Sequence, residues 1–305
     1  MAIVTGGGRG LGRHHALFLA SRGAKLVVND VGGDVEGSGG DESAAESVVA
    51  EIRAQGGVAI PNFANVADWA AGEGLIRAAI ETFGDLHILV NNAGIVRDIA
   101  LPEMSESQLD SVLDAHVKGH FVPLRHAARY WSHRHEAGLP VRASVINTTS
   151  RSGLYPARPN SLWTPEKGRG QSNYAAAKAA IAAMTLALAA ELSIFDIRVN
   201  AIAPVARTRM TESMEHLRDE AQARGADPEF DPFDGENVSP LVGWLGTSDC
   251  AMTGQVYFIF GGTVQPMVGW TRRGGLNRDG RWTIDQLRDS ADLLMVEQPA
   301  GDKGS

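Results

Sequence analysis

The chain opens on a short apolar run, Ala2-Ile3-Val4, which passes directly into a turn built almost entirely of glycine, Gly6-Gly7-Gly8-Arg9-Gly10-Leu11-Gly12. Apolar positions at helical spacing follow from about Leu11 to Ser21. Gly23 ends them, and Lys25-Leu26-Val27-Val28-Asn29 forms a second apolar run. The alternation then repeats. Helical periodicity predicts helices near 42–55, 69–83, 105–135, 174–194 and 236–246, and continuous apolar runs predict strands near 57–62, 86–91, 142–148, 197–202 and 255–260. Strands that are apolar on both faces and separated by helices belong to a parallel sheet covered on both sides. The expected fold is therefore α/β and doubly wound, with ligands bound beyond the carboxyl ends of the strands.

Three segments break this rhythm. A glycine-rich stretch from Gly32 to Gly40 follows the second strand. An insert at about 156–170 carries Pro156, Pro159, Pro165, Trp163 and several cations. A tail of residues 263–305 carries Trp270, Trp282 and a short amphipathic pattern near 283–295, and its small, polar end from Pro299 is expected to be disordered. Residues 1–262 are thus expected to form one domain, with the tail as an extension. Trp270 and Trp282 need burial, most simply against that domain.

Composition narrows the partners. The net charge is −8 and no basic block is present, which argues against nucleic acid. No apolar run reads as a membrane span and no leader pattern precedes the first strand, so no membrane partner is expected. Cys250 is the single cysteine, so no intrachain disulfide can form, which suits a reducing cytoplasm.

Between the first strand and first helix, Thr5-Gly6-Gly7-Gly8-Arg9-Gly10-Leu11-Gly12 lets backbone approach a pyrophosphate, and the helix N-terminus offers it free N–H groups. Asp30 closes the second strand, where a carboxylate accepts ribose hydroxyls and repels the 2′-phosphate of NADP. Arg9 either pairs with such a phosphate or lies solvated at the surface. The balance points to NAD over NADP. Tyr174 and Lys178 lie four apart, on one helix face. A phenol is a poor base near neutrality, and an adjacent ammonium favours its phenolate. The pair can serve as general base in alcohol oxidation and general acid in ketone reduction, with Ser150 holding the substrate oxygen and a nicotinamide carrying the hydride.

The glycine turn at 5–12, Asn91-Asn92-Ala93-Gly94, Ser150, and Tyr174-Ala175-Ala176-Ala177-Lys178 together resemble the short-chain dehydrogenase/reductases over about residues 1–262. That resemblance implies a Rossmann-type fold with seven parallel strands. It also implies a cofactor site comprising Gly6, Arg9, Gly10, Leu11, Gly12, Asp30, Asn65, Val66, Asn92, Ala93, Gly94, Tyr174, Lys178, Pro204 and Thr208. No resident metal is implied, and homodimers or homotetramers are expected, built on the two long helices. Val27–Asp34, His116-Val117-Lys118-Gly119-His120-Phe121 and Ala203–Met210 look like a subgroup that contains the (3R)-hydroxyacyl-CoA dehydrogenase domain of peroxisomal multifunctional enzymes and its actinobacterial relatives. The subgroup implies a small-molecule substrate of the 3-hydroxyacyl-CoA type. A free steroid or xenobiotic alcohol is the alternative, and a non-catalytic dinucleotide-binding protein a third reading.

The sequence departs from the family pattern in several places. His116 stands where most members carry Asn, so it either takes over the relay that links Lys178 to solvent or packs within its helix. His116 and His120 are spaced as metal ligands can be, yet no third ligand accompanies them. Asn65 replaces a common Asp, and Val205 a common Gly. The gap from Ser150 to Tyr174 is about 11 residues longer than usual, and a shifted register would substitute Ser152 for Ser150. Arg158, Lys167 and Arg169 in the extra length either meet CoA phosphates or line a solvated loop. The stretch from Thr208 to Gly225 is expected to cover the substrate.

Overall fold

The computed structural model describes residues 1–154, 170–208, 230–269 and 276–294. The chain divides into two compact units, Met1–Met267 and Val268–Ser305. In the first, eight strands form one sheet: β1 Ala2–Thr5, β2 Lys25–Asn29, β3 Val58–Asn62, β4 Ile88–Asn91, β5 Ala143–Thr148, β6 Ile197–Val205, β7 Val256–Phe260 and β8 Thr263–Pro266. Their spatial order is β3-β2-β1-β4-β5-β6-β7-β8. Seven strands run parallel, as expected. The eighth, β8, pairs antiparallel with β7 and lies exposed along its whole length. It was not expected, because four residues beside Gly261 and Gly262 carry too little apolar pattern to register as a strand.

The helices of this unit are α1 Gly10–Ser21, α2 Ser43–Ala54, α3 Trp69–Phe83, α4 Glu106–Leu113, α5 Gly119–Glu136, α6 Arg151–Leu154, α7 Ser172–Leu192 and α8 Ser239–Gly246. Strand side chains alternate between two cores. Val4, Val28, Val90, Ile146 and Ile202 pack with Ala16, Val48, Ile52 and Leu245 from α1, α2 and α8. Ile3, Val27, Leu89, Val145 and Val199 pack with Leu75, Ile76, Leu124 and Trp131 from α3 and α5. Burying one such side chain stabilises the fold by roughly 1.5–3 kcal/mol. Both faces of the sheet are therefore committed, and ligand access remains only at its ends. The crossover between β1 and β4 is the point where the strand order reverses and a crevice opens at the carboxyl ends.

The single helix expected at 105–135 is in fact three pieces. A π-helical turn, Asp114–Lys118, joins α4 to α5. Pro123 lies inside α5, where it has no N–H to give and its ring crowds the carbonyl of Gly119. The bulge brings His116 to the carboxyl end of β4, a use of π turns common at functional sites.

The stretch Ser172–Phe195 meets the length and composition of a membrane-crossing helix, against the expectation that no run would. Here it is a layer helix whose inner side, with Ala177, Lys178, Ile181 and Thr185 buried, lies against β5 and β6. The second unit contains two short helices, α9 Ile284–Asp289 and α10 Ala291–Leu294, the first opened by a capping box of Thr283 and Gln286. Within this unit the Arg278 guanidinium lies over the Trp282 ring, 5.4 Å from its centre. Trp270, residues 155–169 with Arg158, Lys167 and Arg169, residues 209–229, which include all but Thr208 of the stretch expected to cover the substrate, and the chain end from 295 lie outside the described residues.

Candidate active site

The two ends of the crevice are built by different means. At the first, α1 begins at Arg9 without any side-chain cap, whereas α3 and α4 are capped by Asp68 and Ser105. The first amides of α1 are thus left for an outside acceptor. Gly6 and Gly10 hold positive φ, 61° and 51°. A Cβ on Gly8 would stand 2.9 Å from both Ala44 Cβ and Asp30 Oδ2, and one on Gly12 would strike the carbonyl of Gly6. The turn is therefore a cradle that only glycine leaves open, and it fits a dinucleotide pyrophosphate.

Asp30 closes β2 and accepts from the Gly8 amide at 2.9 Å and the Gly32 amide at 2.8 Å. A carboxylate has about four acceptor positions, so two bonds fix its orientation and leave capacity for ribose hydroxyls. Arg9 turns away from a free position. It donates to Asp41 Oδ2 at 2.7 Å and to the Gly33 carbonyl at 3.2 Å.

Other members of the expected cofactor set act through backbone or packing. Asn92 donates to the carbonyls of Thr5 and Gly6, both at 3.1 Å, so it braces the glycine turn. The amides of Asn92 and Ala93 donate to Thr5 Oγ1. Asn65 Oδ1 accepts from the Ala67 amide, which closes a turn around buried Val66. Leu11 packs half-buried on the α1-side core. Pro204 pairs with Ile259 one residue before the end of β6, and Thr208 lies beside Gly10.

At the second end, Tyr174 and Lys178 share the inner face of α7. Lys178 Nζ donates to the Thr148 carbonyl at 2.7 Å, and Thr149 Oγ1 donates to the Lys178 carbonyl at 2.6 Å, so the end of β5 clasps the lysine from two sides. The ammonium stands 5.5 Å from the centre of the Tyr174 ring. Ser150 lies against Tyr174 closely enough to favour its phenolate. Ser152 instead turns towards Gln171, and its amide donates to Ser150 Oγ at 3.2 Å. The structure thus brings Ser150, not Ser152, to the tyrosine.

Burial outweighs charge at this pair. It pushes the Tyr174 phenol up to about 12, with the Asp98 carboxylate adding to the rise, and pushes Lys178 down to about 7. The sequence suggested the opposite shift for tyrosine. The difference arises because the lysine cation is itself desolvated, only 2% exposed, and stands over the ring face. Each charge alone is costly here, whereas both together attract across a low dielectric.

His116 stacks edge-on against Tyr174, ring centres 5.2 Å apart. Its Nε2 meets the Ile95 carbonyl at 2.7 Å and the Ile95 amide at 3.2 Å. The shorter contact requires the proton on Nε2, which leaves Nδ1 as a buried acceptor without a protein partner. Burial, then the Lys178 charge, hold His116 neutral, well below its ordinary pKa. Gly94 leaves room for it: a Cβ there would stand 2.7 Å from His116 Nδ1.

Several residues of the site were not anticipated. Gln171 donates to Asp98 Oδ1 at 2.9 Å, and Asn173 donates to the Arg97 carbonyl at 3.0 Å. They tie the start of α7 to the segment after β4. Nothing in the local pattern marks these polar residues, since their partners lie more than 70 positions away.

Residues 1–220 match the family model described as short chain dehydrogenase. A short-chain type dehydrogenase/reductase of Mycobacterium tuberculosis is 40% identical over 263 residues, which are 86% of this chain and 82% of that protein. A hydroxyacyl-CoA dehydrogenase of the same organism is 35% identical, over 86% of this chain and 77% of the relative. The peroxisomal multifunctional enzyme type 2 of Mus musculus is 36% identical across 95% of this chain, which spans 36% of that longer protein. The crystal structure of a short chain dehydrogenase from Mycobacterium avium superposes with a TM-score of 0.81 at 46% identity, covering 96% of this chain and 94% of that one. The chain belongs to the short-chain dehydrogenase/reductase family and is an oxidoreductase acting on alcohol or keto groups of small molecules.

Proposed function

We propose that the chain is an NAD-dependent dehydrogenase that interconverts a secondary alcohol and a ketone on a 3-hydroxyacyl-CoA thioester. The cofactor choice rests on one observation above the rest: Asp30 is held at the end of β2 by two amides, while the only nearby cation in the glycine turn, Arg9, is already bound to Asp41 and Gly33. A 2′-phosphate there would meet a fixed anion and a cation with a prior partner. The substrate class is supported by the hydroxyacyl-CoA dehydrogenase of Mycobacterium tuberculosis and the peroxisomal multifunctional enzymes among the relatives.

When bound, the nicotinamide supplies the hydride acceptor or donor. In oxidation, Tyr174 Oη takes the hydroxyl proton of the alcohol. Ser150 orients that hydroxyl, Lys178 offsets the phenolate charge, and His116 packs the tyrosine ring in place. In reduction the same phenol returns the proton to the carbonyl oxygen. Phe121, Leu186 and Ile194 lie exposed along the outer faces of α5, α7 and the turn that follows α7, which supports a homodimer or homotetramer. Cys250 is a buried free thiol, in keeping with the cytoplasm.

The test is NADH formation with 3-hydroxyacyl-CoA substrates of graded chain length, beside free steroid and xenobiotic alcohols. The expected result is turnover of the thioesters, with kcat/KM for NAD at least about 100-fold above that for NADP, since several kcal/mol separate a paired from a repelled phosphate. Turnover of free alcohols alone would overturn the substrate reading.

A further inference from the structure

The connection from β2 to α2, Val31 to Glu42, is longer than a plain turn requires and takes an indirect course. It leaves β2 beside Asp30 and reaches the segment after β4, and in the sheet β1 lies between those two strands. The loop therefore crosses the carboxyl end of β1, over the glycine turn in which a dinucleotide pyrophosphate fits. Arg9 of that turn holds its base, through the Gly33 carbonyl and the Asp41 carboxylate.

Its build is that of a hinged flap. The tip, Asp34 to Ser38, is stiffened from within. Asp34 Oδ1 accepts from the amides of Glu36 and Ser38, both at 2.9 Å, and the Asp34 amide donates to the Ser38 carbonyl at 2.8 Å. Glycine pairs flank the tip, Gly32-Gly33 on one side and Gly39-Gly40 on the other. Gly32 and Gly39 hold φ of 75° and 80°, and a Cβ on Gly39 would meet nothing within 4 Å. Such residues absorb large backbone changes at little steric cost. The latch on the far side is slight. The Val96 amide meets the Val35 carbonyl, Arg97 Nε meets the Glu36 carbonyl, and Gly37 rests on the Ile95 side chain. Val35 and Ile95 are only half-buried there.

We propose that this strap is a gate for the cofactor: latched over the crevice, it swings on its paired glycines to admit or release the dinucleotide, and its unlatching sets the rate of exchange. The proposal rests on the reading that a nicotinamide dinucleotide lies along the crevice from Asp30 to Tyr174, whatever the substrate. The Ile95 carbonyl also holds His116, so the closed gate and the seat of the tyrosine share one segment.

The test is a bridge across the latch. A Cβ on Gly37 would stand 3.8 Å from Ile95 Cβ, inside the span of about 3.5–4.5 Å that a disulfide closes. The native thiol, Cys250, is buried and does not compete. The double variant Gly37→Cys, Ile95→Cys is oxidised with and without NADH, and exchange is followed by NADH fluorescence. Bridged without cofactor, it is expected to bind NADH at least about 100-fold more slowly than after reduction by dithiothreitol; bridged around NADH, it should carry the cofactor through gel filtration and release it on reduction. The reduced form controls for a side chain at the Gly37 φ of 85°. Equal exchange in the oxidised and reduced forms overturns the proposal. So does a bridge that NADH prevents, since the cofactor would then displace the strap. Should the thiols fail to join, Arg97→Met decides: loss of its charged hydrogen bond to Glu36 should speed NADH release by about 10-fold in stopped flow, and an unchanged rate overturns the gate. Equilibrium binding of NADH to the unaltered chain tests the underlying reading separately. No binding defeats the dinucleotide site itself, whereas binding with ungated exchange defeats only the gate.

Discussion

In the proposed mechanism the tyrosine must ionise where ionisation is resisted. Tyr174 is held up to about 12 by its surroundings, so its phenolate is scarce near neutrality until a positive charge is at hand. Alcohol oxidation should therefore accelerate as pH rises, because the base form grows, while ketone reduction, which needs the protonated phenol and the ammonium, should slow. Profiles of kcat against pH in both directions test this; oxidation that is flat from neutral to alkaline pH would contradict it. Tyr174→Phe removes the proposed proton acceptor and keeps the ring that stacks on His116, so turnover should fall by about 10²–10⁴-fold with the fold intact. Gly94 is the most exacting neighbour. An alanine methyl there would push into the His116 ring, which is fixed by Ile95 and cannot retreat within a packed turn. Gly94→Ala should displace His116 and, through it, Tyr174, with kcat lowered by about 10-fold or more. Unchanged kcat in a folded Gly94→Ala protein would show that His116 does not position the tyrosine.

At the scale of elements, the loop from Val31 to Glu42 joins the two ends of the crevice. Its base meets Asp30 and Arg9; its far side docks on the segment after β4, where the Val96 amide donates to the Val35 carbonyl at 2.9 Å and Arg97 Nε to the Glu36 carbonyl at 3.1 Å. That segment also carries Ile95, which holds His116, and Asp98, which holds Gln171. Gly32 makes the loop's return possible: it adopts φ of 75°, and a Cβ would collide with the backbone of Asp41. Gly32→Ala should loosen the loop and raise the KM for NAD by about 10-fold, by strain of roughly 1–3 kcal/mol, with little change in melting temperature. An unchanged KM would exclude the loop from cofactor binding. This strap was not legible in the sequence, although its glycines were noticed, because glycines reveal a permitted bend and not the surface it lands on. The i, i+4 spacing of Tyr174 and Lys178 and the glycines between β1 and α1 were legible because both are local: one helix face, one turn. The Asp98–Gln171 tie, the π turn at His116 and the strand β8 depend on sheet register and helix crowding, which a local pattern does not carry.

For the whole first unit, the buried histidines set an acid limit. His15, on α1, is fully buried with Nδ1 2.9 Å from Ser239 Oγ on α8, and burial drives its pKa to about 3. His120 is likewise driven to about 3, and His116 well below 6.5, in both cases chiefly by burial. All three are neutral in the fold and take up protons once unfolded, with an ordinary value of 6.5. A lowered histidine pKa leaves stability untouched above that value. As pH falls below it, the unfolded chain binds protons that the folded chain refuses, and stability is lost continuously until the folded pKa is reached. Each histidine contributes a slope of up to about 1.4 kcal/mol per pH unit in that window. Three together can remove several kcal/mol between pH 6 and pH 5, on the order of the whole margin of a typical domain. The melting temperature should hold level from pH 8 to about 6.5 and then drop steeply. His15→Gln preserves a partner for Ser239 and cannot titrate, so it should flatten the drop by about one histidine's share without altering kcat, since His15 lies on the far side of the sheet from Tyr174. Denaturant unfolding of both proteins across this range measures the slopes; equal slopes would mean that His15 becomes protonated within the native fold.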